Sequence, residues 1–254
     1  MELTSEQINR YKRHISLMGV GEEGQKKLLE SKVLVVGAGG LGSPVLMYLA
    51  AAGVGTIGIV DGDNVDITNL QRQIIHGIND VGTSKAVSAE ETINNLNTDV
   101  NVILYKEFLN SDNILEIIKE YDFIVECTDN FETKFLINDA CVKAMKPFSH
   151  GGVLGFNGQL MTYVPGKGPC YRCIFGDVPA ENTVPTCKEE GVMGCLPGVI
   201  GSLQAMEAIK YLTGTGKLLT GYLLTYDSLN MNFRKVKLPE KVSECIACGN
   251  IKKH

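Results

Sequence analysis

Val33-Leu34-Val35-Val36-Gly37-Ala38-Gly39-Gly40-Leu41-Gly42, then Ser43 to Ala52, then Thr56-Ile57-Gly58-Ile59-Val60-Asp61, decides how this chain folds. An apolar run of strand length, a glycine turn, a helix-length segment and a second apolar run ending in an acid form a βαβ unit with a dinucleotide-type fingerprint. Gly37, Gly39, Gly40 and Gly42 let the backbone turn sharply and present its N–H groups to an anion at the helix start. Asp61 falls where a carboxylate accepts hydrogen bonds from a ribose diol. The P-loop signature is matched by neither Gly82-Thr83-Ser84-Lys85 nor Gly214-Thr215-Gly216-Lys217, so ATP would be held in the dinucleotide-fold manner.

The next segment separates this chain from a simple dinucleotide binder. Asn69-Leu70-Gln71-Arg72-Gln73 and Lys85 bring two cations and an amide toward a turn that already faces an anion. Such charge suits a triphosphate that reacts, and a dinucleotide delivering hydride has less need of it. Further on, Glu126-Cys127-Thr128-Asp129-Asn130 puts Asp129 at the carboxyl edge of a fourth strand, where open α/β sheets bind ligands. A carboxylate there can hold magnesium; helix statistics alone favour an N-cap role for Asp129 or Asn130, and the upstream cations tip the reading back to the metal.

Around these motifs the chain reads as α/β. Thr4 and Gln7 have capping-box spacing ahead of a helix over residues 5 to 18, and a second helix is expected from Glu22 to Glu30. Strands are expected at 32–36, 56–61, 102–108 and 123–127, with helices at 43–52, 84–96, 111–120 and 131–145 between and after them. Phe148 to Val164 is glycine-broken and alternating, as in antiparallel strands, and Pro165 to Pro197 reads as a crossover or cap. A helix from Val199 to Leu212 and strands at 222–226 and 233–238 complete the order. The expected fold is a Rossmann-like mixed sheet, mainly parallel, with helices on both faces. It forms a single domain over residues 1–254: a helical arm (1–30), a nucleotide-binding half (31–145) and a mixed-sheet half (146–254).

A length of 254 residues with 44% hydrophobic content supports a substantial core, and a net charge of −5 argues against nucleic acid as the main partner. Residues 1–6 lack the marks of a secretory signal and no apolar run is long enough to span a bilayer, so the expected compartment is the cytoplasm, without a membrane partner. In a reducing compartment the eight cysteines are metal ligands, reactive thiols or packing residues. Cys170/Cys173 and Cys245/Cys248 share C-x-x-C spacing, and two chelating pairs make a closed structural zinc site tying the tail to the cap region. A redox pair or two packed thiol pairs are the competing readings. Cys187 lies in a polar loop beside Lys188, which lowers a thiol pKa; an unreactive loop thiol fits as well. Cys127 and Cys141 read as core, and none of the four histidines is given a role.

Taken together, Gly37 to Gly42, Asp61-Gly62-Asp63, Thr68 to Gln73, Cys127 to Asn130 and Cys170-Tyr171-Arg172-Cys173 resemble the bacterial ThiF/MoeB/HesA family, relatives of ubiquitin-activating enzymes. The resemblance runs from Arg10-Tyr11-Lys12-Arg13 to the terminal cysteine pair. It implies an adenylyltransferase that uses ATP, magnesium and zinc to activate the C-terminal Gly-Gly of a ubiquitin-like sulfur carrier, with a cysteine desulfurase or other sulfur donor downstream. By the same resemblance, Gly37, Gly39, Gly40, Gly42, Asp61 and Asp63 contact the nucleotide, and Asn69, Arg72, Gln73 and Lys85 surround its phosphates. Asp129 ligates magnesium, and Arg13 crosses a homodimer interface to the partner's ATP. Cys187 is the family's motif cysteine, a covalent thiol in some members; Cys195 departs from the small residue or proline common near that position. Glycines 151, 152, 155 and 158 are assigned to a channel for the carrier tail. A tRNA-modifying dehydratase of the same superfamily, an NAD-dependent oxidoreductase and a non-catalytic nucleotide-binding scaffold remain as alternatives.

Overall fold

A computed structural model describes residues 2–180, 183, 190–240 and 242–251. Strands β1 (Lys32–Val36), β2 (Thr56–Val60), β3 (Asn101–Tyr105), β4 (Phe123–Glu126), β5 (Phe148–Leu154), β6 (Asn157–Tyr163), β7 (Tyr222–Asp227) and β8 (Asn232–Lys237) form one sheet. Their order is β3-β2-β1-β4-β5-β6-β7-β8. β3 through β5 in that order pair in parallel, and β6, β7 and β8 add antiparallel. The mixed, mainly parallel sheet read from the sequence is what the chain forms.

Strand periodicity explains the layering. Val33 and Val35 of β1, with Phe123 and Val125 of β4, enter one apolar cluster, while Leu34, Val36 and Ile124 enter the other. The central strands β1, β2 and β4 are therefore buried on both faces and read as nearly continuous apolar runs rather than alternating ones. The first face is covered by α4 (Gly42–Ala52), α5 (Lys85–Leu96) and α9 (Cys195–Thr213), and the second by α6 (Ile114–Ile118), α7 (Phe131–Lys143) and α8 (Tyr171–Phe175). β8, at the sheet edge, is exposed along its length.

Four elements depart from the sequence reading by more than two residues. The first helix begins at its expected Thr4 capping box but divides into α1 (Ser5–Arg10) and α2 (Lys12–Ile15), followed by α3 (Gly21–Glu30). Tyr11 causes the break: its ring lies against Gly53, and its hydroxyl accepts from Asn97 Nδ2 at 2.9 Å and donates to Asp99 at 3.5 Å. β3 stops at Tyr105, since Phe108 folds back over Gly62. α6 keeps only Ile114–Ile118 of the helix expected over 111–120, and its apolar residues go into the core. α9 starts at Cys195, with Pro197 in its first turn where no N–H is required. The loop-rich stretch also holds the short helix α8, which periodicity alone did not reveal.

The strand order reverses direction between β1 and β4, and a crevice opens there at their carboxyl ends. The glycine turn fits this crevice because it lacks side chains. Gly37 has φ +98°, and a Cβ there would meet the Cys127 carbonyl oxygen at 2.8 Å. A Cβ on Gly42 would stand 1.9 Å from the carbonyl oxygen of Gly37. Both obstacles are backbone and cannot step aside. Gly42→Ala is expected to destabilise the fold by about 1–3 kcal/mol, as overpacking does, measured by urea denaturation; wild-type stability in this variant would refute the close approach.

Candidate functional site

The crevice is a cavity of about 1100 Å³. Its floor is the glycine turn. Ala38 is gripped through both its backbone groups: its N–H donates to Asp61 Oδ2 at 2.8 Å, and its carbonyl accepts from His76 Nε2 at 2.9 Å. The second Asp61 oxygen accepts from Asp63 N–H at 2.9 Å. Burial pushes the Asp61 carboxyl up, with the two N–H bonds and Lys85 opposing it. His76 is buried, its Nδ1 beside Ser88 Oγ at 2.7 Å, and burial pushes its imidazole below the ordinary value. A neutral ring donating from Nε2 and accepting at Nδ1 satisfies both contacts.

Held in this way, the turn exposes a donor face. The N–H groups of Gly39 and Gly40 make no hydrogen bond to a described residue, and both glycines line the cavity at the amino end of α4. Arg72, Gln73 and Lys85 line the same side. Lys85 Nζ reaches Asp63 Oδ2 at 2.9 Å, and Arg72 Nη1 donates to the Thr68 carbonyl at 3.1 Å. Gln73 is buried, and its Oε1 has no hydrogen-bond partner among the described residues, so it can accept from a ligand donor. Amides at a helix start together with two cations make a polyanion cradle.

Asp129 faces this cradle from the end of β4. The N-cap of α7 is Asn130, whose Oδ1 accepts from Thr133 N–H at 2.8 Å. Asp129 is thereby released from capping; it is exposed, lines the cavity and makes no hydrogen bond or ion pair to a described residue. A carboxylate without internal partners beside a phosphate cradle fits a divalent cation.

The structure brings together Gly37, Gly39, Gly40, Asp61 and Asp63 with Arg72, Gln73, Lys85 and Asp129. Gly42 lies just behind, as the first residue of α4. Asn69 is absent from the walls: its Oδ1 accepts from Asp66 N–H at 3.1 Å in a capping box, so its carboxamide is engaged in holding the turn that carries Arg72. Arg13 is exposed on α2, away from the cavity of its own chain. Cys187 lies outside the described residues. Cys195 is exposed at the start of α9. Of the glycines assigned to a tail channel, Gly152 and Gly158 line the cavity.

Sequence reasoning missed a buried ionic group in the opposite wall. Glu126, 1% exposed, takes Lys134 Nζ on both oxygens at 3.0 Å and His150 Nδ1 at 2.6 Å. Burial alone would raise the Glu126 carboxyl; the charge of Lys134 and the His150 and Thr128 hydrogen bonds bring it down to about 2. His150 is pushed below its ordinary value by burial and by Lys134. Its ring sits edge-on to Tyr171, with centroids 4.6 Å apart. The available signal was Phe123-Ile124-Val125-Glu126, an otherwise apolar buried strand ending in a charge.

Beside α8, in the apolar cluster on the second face of the sheet, the Sγ atoms of Cys170, Cys173, Cys245 and Cys248 all lie within 4.8 Å of one another. Three of the separations are 3.9, 3.7 and 3.4 Å. Four sulfurs around a metal with bonds near 2.3 Å would be roughly 3.8 Å apart, so the set fits a tetrahedral ion with no open position.

The model of the ThiF family matches residues 11–247. The chain is 46% identical over 248 residues to "Adenylyltransferase and sulfurtransferase MOCS3" of Xenopus laevis, covering 98% of this chain and 55% of that protein. It thus spans about half the length of that relative. It is also 46% identical over 255 residues to the "Sulfur carrier protein adenylyltransferase" of Thermus thermophilus, covering 98% of this chain and 94% of that one. A crystal structure of E. coli MccB with ATP superposes with a TM-score of 0.83 at 25% identity, covering 97% of this chain and 75% of that chain.

The two histidines give the site a pH dependence. Both have folded-state values depressed below the unfolded one, so the unfolded chain takes up protons first. The stability they contribute is present above about pH 6.5 and is lost as pH falls below it. Asp61, raised, works in the opposite sense and only at the lower pH of carboxyl titration. The urea midpoint is therefore expected to hold between about pH 8 and 7 and to fall below about 6.5, with His76→Gln and His150→Gln each flattening the fall; an unchanged slope in both variants would contradict the assignment.

Proposed function

The chain belongs to the ThiF family, and on that premise we propose that it adenylates the C-terminal glycine of a ubiquitin-like sulfur-carrier protein with ATP, forming an acyl-adenylate for sulfur transfer. The observation that carries this reading is the meeting of a polyanion cradle (Gly39, Gly40, Arg72, Lys85) and an unengaged carboxylate (Asp129) across one cavity. Within the remaining wall, Gly152 and Gly158 of the β5–β6 hairpin present backbone without a side chain, which suits a glycine tail.

The chemistry requires few groups. An oxygen of the tail carboxylate attacks the α-phosphorus of ATP, the bond to the bridging oxygen breaks, and pyrophosphate leaves with that electron pair. A carboxylate is already ionised, so no general base is needed. Arg72, Gln73, Lys85 and the turn amides hold the phosphates and stabilise their charge, and Asp61 orients the ribose. Asp129 would hold magnesium, which when bound neutralises phosphate charge. Tightly placed donors of this kind act mostly by alignment.

Two assemblies belong to this reading. The first is a homodimer in which Arg13 reaches the nucleotide of the partner; its support is that Arg13 is solvent-exposed and removed from its own cavity, on an arm that also exposes Leu17 and Met18. The second is a zinc ion held by Cys170, Cys173, Cys245 and Cys248, supported by the sulfur geometry. A cysteine desulfurase or another sulfur donor would act after the adenylate forms.

Pyrophosphate exchange into ATP, run against a panel of purified carriers, tests the activity. Arg72→Ala and Asp129→Ala are each expected to lower exchange by about 10²–10³-fold, the range for removing a positioned charge-stabilising group; exchange at the wild-type rate in both would reject the assignment. Zinc is expected at one ion per chain, released by a mercurial and counted with a metal-sensitive dye. Cys173→Ser should lose the ion and lower the melting temperature, and full stability without bound metal would dismiss the staple.

A further inference from the structure

Beyond the groups that face the nucleotide, we infer that Glu126 is the positioning residue for Asp129, fixing the segment that carries it from behind the cavity wall. This inference rests on the reading of Asp129 as the carboxylate of a magnesium–nucleotide site. Its own basis is the hydrogen bonding around Thr128. Glu126 Oε1 accepts from Thr128 N–H at 2.7 Å and from Thr128 Oγ at 2.6 Å. Lys134 Nζ, held by both Glu126 oxygens, donates to the Thr128 carbonyl at 2.7 Å and to the Gly151 carbonyl at 3.1 Å. Every polar group of Thr128 is thus tied to one buried ion pair.

On the other side of Asp129, the next residue is fixed as well, because Asn130 caps α7. Asp129 stands between two immobilised residues, and its side chain alone is free to meet a ligand. Lys134 adds a second tie: through Gly151 it joins the end of β4 to β5, so the two strands that flank this part of the cavity move together. His150 completes the Glu126 shell from β5 and leaves no oxygen of that carboxylate without a donor. A buried pair satisfied to this degree fixes one arrangement, and removing one member leaves the other charge uncompensated.

The test is calorimetric binding of ATP to the full-length chain, with and without magnesium, which needs no carrier and no turnover. The quantity read is the ratio of the two affinities. Wild type should show a clear magnesium enhancement, and Asp129→Asn should lose it. E126Q should fall to within about twofold of D129N, and the double variant should match D129N within the same margin, since coupled residues fail to add. Wild-type enhancement in E126Q, losses that multiply in the double variant, or no enhancement in wild type would each overturn the inference. Should E126Q fail to fold by circular dichroism, K134R and K134M replace it. Arg keeps the charge and donors and should retain the wild-type ratio, whereas Met should drop to the D129N level; equal ratios would overturn the inference. A wild-type chain that shows the coupled pattern yet never exchanges pyrophosphate would reject the adenylation reading and leave the positioning role in place.

Discussion

The Asp61 carboxylate, buried with one oxygen on Ala38 N–H and the other on Asp63 N–H, sets the shape of the cavity floor. It joins the end of β2 to the turn that leaves β1, and it does so at an electrostatic cost that the two N–H donors and Lys85 offset. With His76 on the Ala38 carbonyl, both backbone groups of Ala38 are fixed, and the next two N–H groups have no hydrogen-bond partner among the described residues. The anion-binding character of the turn follows from this constraint. A glycine-rich loop without such bracing would sample many conformations, and its donors would not converge.

Opposite the floor, a second buried carboxylate has the corresponding role in the wall. Glu126 closes β4 as Asp61 follows β2, and both spend their hydrogen bonds on backbone or on the residues that hold it. β2 and β4 both pair with β1 and end level with its Val36, so Asp61 lines the crevice on one side of β1 while Glu126, on the other, is buried behind the wall. The groups that meet a ligand, Arg72, Lys85 and Asp129, are then carried on segments whose backbone is already fixed. Rigid placement of charge before the ligand arrives is what makes such a site effective.

The cysteine cluster connects to this arrangement through a short path. α8 carries Cys173 and has Cys170 as its N-cap, and it presents Tyr171 and Phe175 to the cavity. Tyr171 meets His150 edge-on, and His150 bonds Glu126. The tail residues Cys245 and Cys248 lie against the same helix. The sulfur site is therefore adjacent to the wall in structure although it is distant from the glycine turn in sequence.

The sequence by itself determined the βαβ start, the mixed sheet, the glycine turn with Asp61, the cationic pair and the two cysteine pairs. Each is a local signal: a strand period, a turn residue or a fixed spacing, and local signals survive without knowledge of the fold. Tertiary structure alone decided the rest. Tyr11 breaks its helix because of Asn97 and Asp99, far along the chain, and Asn69 is turned to Asp66 rather than to the cavity. Glu126, Lys134 and His150 sit on β4, α7 and β5 and carry no shared spacing that marks them as a group. What unites them is burial, which forces charged groups to find one another, and burial is a property of the packed chain.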